Sequence, residues 1–264
     1  MDKGRSIRFV CTAILTLVCL SGCYDPEPNP RIIGEDRPVT MPAVETVPQF
    51  RVLGHSVQGR PIVAQTLGAG SQTTLFIATI HGNEPAGTPL MGALTDYLGN
   101  HPELLQDRRV VIIPVANPDG MAMRTRHNVR GVDLNRNFEA KNRRNNATNG
   151  FGALSEPESK ALHAAIDQFK PDRIISLHQP LTCIDYDGPA KALAARMATY
   201  CHLPVKKLGA RPGSLGSYTG EELGIPTITV EFPAAASQLA KEALWDQYGQ
   251  SVLSAITYDR QVSK

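Results

Sequence analysis

The pattern of apolar and polar residues predicts strands that alternate with helices from about residue 48 onward. Segments 74–80, 109–115, 173–177 and 227–230 are short, apolar and rich in β-branched residues, as expected for strands buried on both faces of a sheet. Helical spacing of apolar residues predicts helices over 88–98, 155–169, 189–201 and 237–257. This alternation indicates an α/β fold, with a mostly parallel, doubly wound mixed sheet and helices on both of its faces.

Two polar segments are predicted to mark the ends of these elements. Asn117-Pro118-Asp119-Gly120 follows the second strand and has the composition of a turn. Ser155 is predicted to be the N-cap of the next helix, because a proline and two acidic residues follow it where the first turn would lie.

The N-terminal residues have the composition of an export signal. Three basic residues precede an apolar run over 9–20, which is too short for an ordinary transmembrane helix. The run ends in Leu20-Ser21-Gly22-Cys23, which resembles the bacterial lipobox, in which the cysteine becomes the lipidated first residue. We predict a lipoprotein signal peptide at 1–22, a Pro-rich tether at 23–47 and a globular domain at 48–264. A plain signal peptide, or a signal anchor with an incidental cysteine, is the alternative.

Lipidation of Cys23 predicts a protein of the bacterial cell envelope, anchored to a membrane and facing the periplasm. Tyr24 stands where lipoproteins retained in the inner membrane commonly have Asp, which favours the outer membrane. Cys183 and Cys201 are the cysteines that remain in the domain, and the sequence leaves open whether they pair.

Charge gives no reason to expect a nucleic-acid partner. The formal net charge is +2, and the basic residues are scattered apart from three adjacent pairs, at 108–109, 143–144 and 206–207. None of these pairs forms a stripe that could follow a phosphate backbone.

Four residues with metal or proton chemistry follow the predicted strands. His81 and Glu84 come after the first strand, His178 after the third and Glu231 after the fourth. Ligands of open α/β sheets bind outside the carboxyl ends of the strands, so these side chains are expected at one edge. Two histidines and one carboxylate form a catalytic zinc site. His81, Glu84 and His178 are therefore the predicted ligands of one Zn²⁺, and Glu231 the predicted general acid and base.

Several motifs resemble the M14 family of zinc carboxypeptidases. They are His81-x-x-Glu84, His178, Glu231 within TVEFP, the segment GVDLNRNF at 131–138, and the polar segments at 117–120 and 155–158. The resemblance covers roughly residues 50–260 and implies a zinc peptidase domain. Within the family, segments 176–185 and 213–218 are similar to the murein peptide amidase A group.

The resemblance also implies roles for residues beyond the metal site. Asn135 and Arg136 are expected to bind the free carboxylate of the residue on the leaving side, which suits a planar guanidinium. Arg126 is expected to stabilise the oxyanion, although Arg124 and Arg130 lie close to it in the sequence. Residues 207–209 depart from the digestive members of the family, because those members have a mobile tyrosine near this position.

The expected activity is zinc-dependent hydrolysis of an amide bond next to a free carboxylate. In an envelope protein of this group the substrate is expected to be a peptidoglycan-derived peptide with a γ-D-glutamyl–meso-diaminopimelate bond. Asp185 and Asp187 follow His178 in the segment that resembles the amidase group, and either could bind the side-chain ammonium of diaminopimelate; Asp185 is the predicted substrate-binding residue. Two alternatives are a zinc deacylase resembling succinylglutamate desuccinylase and aspartoacylase, and a non-catalytic module that binds the envelope.

Overall fold

A computed structural model describes residues 45–259. The predicted signal peptide at 1–22, the lipidation site Cys23 and tether residues 24–44 lie outside these described residues. The last tether residues approach the domain, because the Glu45 carbonyl accepts a hydrogen bond from Gly68 N. Within 45–259, every helix is too short or too polar to cross a bilayer.

A seven-stranded mixed sheet forms the centre of the domain, in the order β1-β2-β4-β3-β5-β7-β6. Its strands are β1 Gln49–His55, β2 Pro61–Leu67, β3 Gln72–Ala78, β4 Arg108–Ile113, β5 Arg173–His178, β6 Leu181–Asp187 and β7 Thr227–Pro233. The four central strands are parallel, whereas β1, β2 and β6 run antiparallel to their neighbours. The predicted α/β class with a mixed, centrally parallel sheet is confirmed.

Helices cover both faces of the sheet. They are α1 Gly87–Asn100, α2 Pro118–Met123, α3 Pro157–Phe169, α4 Lys191–Ala198 and α5 Lys241–Ile256. Apolar residues of α1, α4 and α5 pack with one face of the sheet, and those of α3 pack with the other. Consecutive residues of β3 belong to opposite cores, as with Phe76 and Ile77, because side chains alternate along a strand.

Two predicted boundaries are wrong. The segment at 117–120 begins α2 instead of forming an isolated turn, because Asn117 Oδ1 accepts a hydrogen bond from Gly120 N at 2.9 Å. Ser155 is not an N-cap, since α3 begins at Pro157 and Glu156 is the flanking residue. The Ser155 hydroxyl instead donates to Glu156 Oε1 at 2.9 Å.

The loop after β3 depends on close packing against α2. A Cβ atom on Gly82 would lie 2.0 Å from the Gly120 carbonyl carbon, so a larger residue cannot occupy position 82 without moving the backbone. Because Gly82 lies between His81 and Glu84, this contact fixes the backbone that presents both side chains.

Cys183 and Cys201 are both free thiols.

Candidate metal centre and substrate cleft

Two histidines and one glutamate meet at the carboxyl ends of β3 and β5. His81 and Glu84 lie in the loop after β3, and His178 is the last residue of the neighbouring parallel strand. Glu84 Oε1 is 3.0 Å from His81 Nδ1, Glu84 Oε2 is 2.9 Å from His178 Nδ1, and the two Nδ1 atoms are 3.2 Å apart. All three side chains are buried. They form a group of potential ligand atoms that lie within 4.8 Å of one another.

The donor chemistry of this group fits a zinc ion. His81 Nε2 lies 3.0 Å from Asp133 Oδ1, which assigns the ring proton to Nε2 and leaves the Nδ1 lone pair facing Glu84 and His178. Electron-pair donors that converge at about 3 Å repel one another unless a cation or proton lies between them. Two imidazoles and one carboxylate are a zinc-ligand set that leaves a position open for water.

Arg126 connects the glutamate of this group to the residue that orients His81. Its Nη1 donates to Glu84 Oε1 at 3.0 Å, and its Nε donates to Asp133 Oδ2 at 3.1 Å. Burial raises the pKa of both carboxyls, but the contacts of Glu84 with His178 and His81, and those of Asp133 with His81 and Arg126, outweigh burial. Both pKa values therefore lie well below the ordinary range. Both buried carboxylates are therefore ionised at neutral pH.

The two neighbouring arginines lie elsewhere. Arg124 follows α2 in the left-handed region, with φ of 53°, and lines a separate pocket beside Asn83. Arg130 Nη1 is 3.5 Å from Glu156 Oε2. Of the three candidates for the oxyanion role, Arg126 is the one that lines the same cleft as the metal group.

Glu231 lies beside His178 because the two residues are paired in the parallel register of β7 and β5. It belongs to β7 itself, and its side chain is 9% exposed and lines the cleft. Leu181 N donates to its Oε2 at 3.3 Å. A carboxylate in this position, with one long hydrogen bond from the protein, can exchange a proton with a molecule bound in the cleft.

Asn135 and Arg136 lie together in the short helical turn Leu134–Arg136. Asp133 Oδ1 accepts a hydrogen bond from Asn135 N at 2.9 Å and so caps this turn. Asn135 Oδ1 accepts from Leu215 N at 2.8 Å, which leaves the amide nitrogen as the group that Asn135 can offer to a ligand. Burial lowers the pKa of Arg136, yet a guanidinium stays charged at neutral pH. Both side chains line the cleft and provide donors for a carboxylate.

These residues surround one cleft with a volume of about 460 Å³. Its floor is built on rows of residues that are paired across β5, β7 and β6, and the members that line the cleft are Ser176, His178, Asp185, Asp187, Thr229 and Glu231. The row nearest the metal group is His178, Glu231 and Cys183, the next is Ser176, Thr229 and Asp185, and a third contains Thr227 and Asp187. Alternate residues of a strand face the same side, so the rows lead away from the metal group along the floor.

The wall of the cleft includes the segment in which the digestive enzymes have their tyrosine. Here Leu208 and Gly209 line the cleft. Leu208 N donates to Asp185 Oδ1 at 2.8 Å, which connects this wall to the floor. Asp185 and Asp187 are both buried. Burial raises the pKa of each, and for Asp187 burial together with the Asp185 charge raises it to about 6.

Two charged residues, one behind the metal group and one lining the cleft, carry no role in the predictions from sequence. Asp133, which contacts His81 and Arg126, lies within the segment GVDLNRNF, and its position two residues before Asn135 is the available indication. Arg211 lines the cleft, but a single arginine in a loop carries no local pattern that identifies it. The predicted site residues Arg126, Asn135, Arg136, Asp185 and Glu231 and the three predicted ligands all line this cleft.

Comparison with known proteins gives consistent matches. The model of the zinc carboxypeptidase family, peptidase family M14, matches residues 44–192. The chain is 33% identical to murein peptide amidase A of Escherichia coli K12 over 208 residues, which cover 72% of this chain and 83% of that protein. It is 29% identical to murein peptide amidase A of Vibrio campbellii over 74% of this chain and 84% of that protein.

A solved structure gives the same result. The crystal structure of murein-tripeptide amidase from E. coli O157 matches with a TM-score of 0.69 and 27% identity, over 84% of this chain and all of that chain. With these matches and a two-histidine, one-glutamate site, the chain belongs to the M14 family of zinc carboxypeptidases and is a zinc-dependent hydrolase.

Proposed function

We propose that this protein hydrolyses the γ-D-glutamyl–meso-diaminopimelate bond of peptides derived from peptidoglycan. The observation that carries this proposal is the 33% identity to murein peptide amidase A of E. coli across 83% of that relative. The cleft supports it, because a substrate with a free carboxylate on its leaving residue needs donors close to the metal group. Asn135 and Arg136 provide such donors within the same cleft.

The side chains of the cleft suggest how the reaction is divided among them. Asn135 and Arg136 hold the carboxylate of the leaving residue, which places the scissile amide beside Glu231. His81, Glu84 and His178 would hold a zinc ion, which would supply Lewis-acid polarisation of the amide carbonyl and a water of lowered pKa. Glu231 accepts a proton from the attacking water and delivers it to the leaving amine as the C–N bond breaks.

Arg126 requires a change of partner to act on the oxyanion. In the structure its Nη1 donates to Glu84 Oε1. If Glu84 served as a metal ligand, Arg126 Nη1 would be free to turn toward the cleft, and its Nε could keep the hydrogen bond to Asp133. Charge that develops on the carbonyl oxygen would then meet a partly desolvated guanidinium.

The test is hydrolysis of defined substrates by the purified domain that begins at residue 45. We expect L-Ala-γ-D-Glu-meso-diaminopimelate to yield L-Ala-D-Glu and free diaminopimelate, identified by mass spectrometry. N-acetyl-L-aspartate and N-succinyl-L-glutamate serve as the comparison, because the deacylase alternative predicts their hydrolysis. Cleavage of the acyl amino acids without cleavage of the tripeptide would replace our proposal by that alternative. Cleavage of neither class under zinc-loaded conditions would support a non-catalytic binding module.

We further propose that Cys23 is lipidated and anchors the protein to an envelope membrane, with the catalytic domain in the periplasm. The support is the sequence Leu20-Ser21-Gly22-Cys23 directly after the apolar run at 9–20. Tyr24 favours the outer membrane over the inner membrane. This location would bring the enzyme into contact with peptidoglycan peptides before they enter the cytoplasm.

The anchor is tested by expressing the full chain with Cys23→Ser and by separating membranes on a density gradient. We expect loss of the lipid, as measured by intact-mass spectrometry, and loss of association with outer-membrane fractions. Cys201→Ser is the matched control, because this residue is predicted to be retained in the mature domain. Membrane association of the Cys23 variant with an uncleaved N-terminus would indicate a signal anchor instead.

A further inference from the structure

The end of the cleft away from the metal group contains a buried acid without a hydrogen-bond partner. Asp187 is 4% exposed and lines the cleft, and its Oδ1 accepts no hydrogen bond from residues 45–259. Desolvation of a carboxylate costs free energy unless hydrogen bonds replace those from water. The domain leaves this cost uncompensated at a surface that a ligand can reach.

Neighbouring groups do not neutralise Asp187. Lys207 Nζ is 3.8 Å from Asp187 Oδ1, beyond hydrogen-bond distance, and it lies closer to Glu221 Oε1, at 3.1 Å. Asp185 adds a second negative charge beside Asp187 and raises its pKa. Asp185 Oδ1 accepts hydrogen bonds from Leu208 N and Tyr186 N, and these bonds connect it to the backbone. Lys207 is therefore shared with Glu221, and this one lysine does not compensate the combined charge of Asp185, Asp187 and Glu221.

Close packing at Gly216 keeps Asp187 in this position. A Cβ atom on Gly216 would lie 1.9 Å from Asp187 Oδ2, so only glycine allows the wall of the cleft to approach this carboxylate. Oδ2 lies against the Gly216 wall of the cleft, and Oδ1 is enclosed by protein without a hydrogen-bond partner among the described residues. The carboxylate is thus held beside the cleft with a charge that hydrogen bonds to Oδ1 do not compensate.

Arg211 provides the opposite charge in the same cleft. Its side chain is exposed, lines the cleft and makes no ion pair with an acid within residues 45–259. It lies near enough to Asp185 and to Arg136 to influence the pKa of each. The cleft that Asp187 lines therefore also contains an exposed guanidinium close to Asp185.

We propose that this end of the cleft binds a second amino-acid centre at the end of the substrate side chain, with Asp187 binding its ammonium group and Arg211 its carboxylate. This inference rests on the proposed function, because Arg136 must hold the first carboxylate at the other end of the same residue. Asp185 contributes negative charge and positions the wall through Leu208. Of the two predicted acids, Asp187 is the one assigned to the ammonium, because Asp185 Oδ1 already accepts two backbone hydrogen bonds.

The pocket consequently selects diaminopimelate with a free distal centre. Cross-linking acylates the distal amine and removes its positive charge, and amidation of the distal carboxyl removes its negative charge. Either change leaves a charged residue of the pocket without its partner, which is the kind of mismatch that polar sites reject most strongly. The enzyme is expected to act on peptides that are neither cross-linked nor amidated at this residue.

The test uses tripeptides that share L-Ala-γ-D-Glu and differ in the third residue. Lysine is diaminopimelate without its distal carboxylate, and norleucine lacks the distal ammonium as well. The ratio of kcat/KM for lysine over norleucine therefore measures the ammonium contact, and the ratio for diaminopimelate over lysine measures the carboxylate contact. A fourth peptide with amidated diaminopimelate checks the carboxylate contact with the side-chain length unchanged.

Asp187→Asn should reduce the lysine-over-norleucine ratio by about 30-fold or more, because a charged partner is lost in a desolvated pocket. Arg211→Gln should reduce the diaminopimelate-over-lysine ratio by about three- to fivefold, a smaller effect because Arg211 is exposed. It should not reduce the lysine-over-norleucine ratio. Asp246→Asn, an exposed acid on α5 outside the cleft, is the matched control and should keep both ratios.

The outcomes separate the inference from the proposed function. Hydrolysis of all four peptides at equal rates by the wild-type enzyme would overturn the inference and leave the amidase function intact. A loss of the lysine preference in Asp185→Asn but not in Asp187→Asn would overturn the assignment of the ammonium to Asp187. Hydrolysis of none of the peptides would overturn the proposed function itself. If Asp187→Asn does not fold, the wild-type ratios and Arg211→Gln still decide the carboxylate contact.

Discussion

Buried acids at the two ends of the cleft have pKa values shifted in opposite directions. At the metal end, Glu84 and Asp133 each interact with histidine and with Arg126, and both have pKa values below the ordinary range. At the other end, Asp187 lacks a hydrogen bond to its Oδ1, and burial with the Asp185 charge raises its pKa to about 6. Both ends are almost fully enclosed by protein, so exposure does not explain the difference.

What differs is the partner that each end requires. At the metal end the protein provides the network that orients the ligands before any cation binds, so the ligand atoms are already close together. At the other end Asp185, Asp187 and Glu221 share Lys207, which leaves an excess of negative charge that favours a cationic group brought by the substrate. A buried acid with a raised pKa in a binding cleft is therefore a candidate for ligand recognition, as perturbed titration often indicates.

Removing a histidine of the metal group should have the largest effect. His178→Ala deletes one of three ligands, so bound zinc should fall to background and hydrolysis should fall below detection. Metal content by mass spectrometry and activity after gel filtration provide the two measurements. His202→Ala, an exposed histidine, is the matched control and should keep one zinc per chain. Full zinc occupancy in the His178 variant would show that these residues are not the zinc site.

Glu231→Gln should separate chemistry from metal binding. The amide has the shape of the carboxylate but cannot accept and return a proton, so kcat should fall by about 10²–10⁴-fold while zinc content stays at the wild-type level. Steady-state kinetics on the diaminopimelate tripeptide, with zinc measured on the same sample, decides the outcome. Glu242→Gln on the exposed face of α5 is the control. A variant that keeps more than a tenth of the wild-type kcat would assign proton transfer to another group.

The sequence predicts the metal end well because parallel strand order alone brings its residues together. His81 and His178 follow from the ends of neighbouring parallel strands, and Glu231 from the next strand, with no need for side-chain detail. The central strands are also predicted because burial on both faces leaves them almost entirely apolar.

The edge strands of the sheet, and the end of the cleft away from the metal group, are harder to predict. Strand β1 is largely exposed and therefore lacks an apolar run. Strand β6 has acids that face the cleft, so its sequence LTCIDYD does not resemble a buried strand. The row that contains Asp187 depends on the antiparallel register of β6 with β7, which no local pattern specifies. Charged residues that face the cleft interrupt the apolar pattern from which a buried strand is predicted, so such a strand is missed.

Asp133→Asn should weaken zinc binding without removing a ligand. The carboxylate accepts the His81 Nε2 proton and also receives Arg126, so the amide would orient His81 less well. Loss of such a supporting contact typically costs about 10–100-fold in metal affinity. Competition with a chelator of known affinity measures the change, with Asp246→Asn as the control. A zinc affinity equal to that of the wild type would show that the ring of His81 is held by its packing instead.

The smallest expected effect is a gain in stability when the negative charge of Asp187, at the end of the cleft away from the metal group, is removed. The folded protein raises the pKa of Asp187 from 3.8 to about 6, so the folded state binds the proton more tightly than the unfolded state. Ionisation of Asp187 therefore lowers the free energy of unfolding of the wild type as pH rises from about 4 to about 6. Above that range the free energy of unfolding stays lowered by the same amount.

Asp187→Asn keeps the shape of the side chain and removes this cost, although Asp185, Lys207 and Glu221 still face the site. We expect the free energy of unfolding at pH 7.5 to rise by on the order of 1 kcal/mol in the variant, and the difference from wild type to shrink as pH approaches 4. Urea unfolding of both proteins across this range, with Asp246→Asn as the reference, measures the difference. A purely structural Asp187 would give the opposite sign, with a variant less stable than the wild type at pH 7.5. A variant that is more stable and has a reduced preference for lysine over norleucine would show that the charge of Asp187 lowers stability and serves ligand binding.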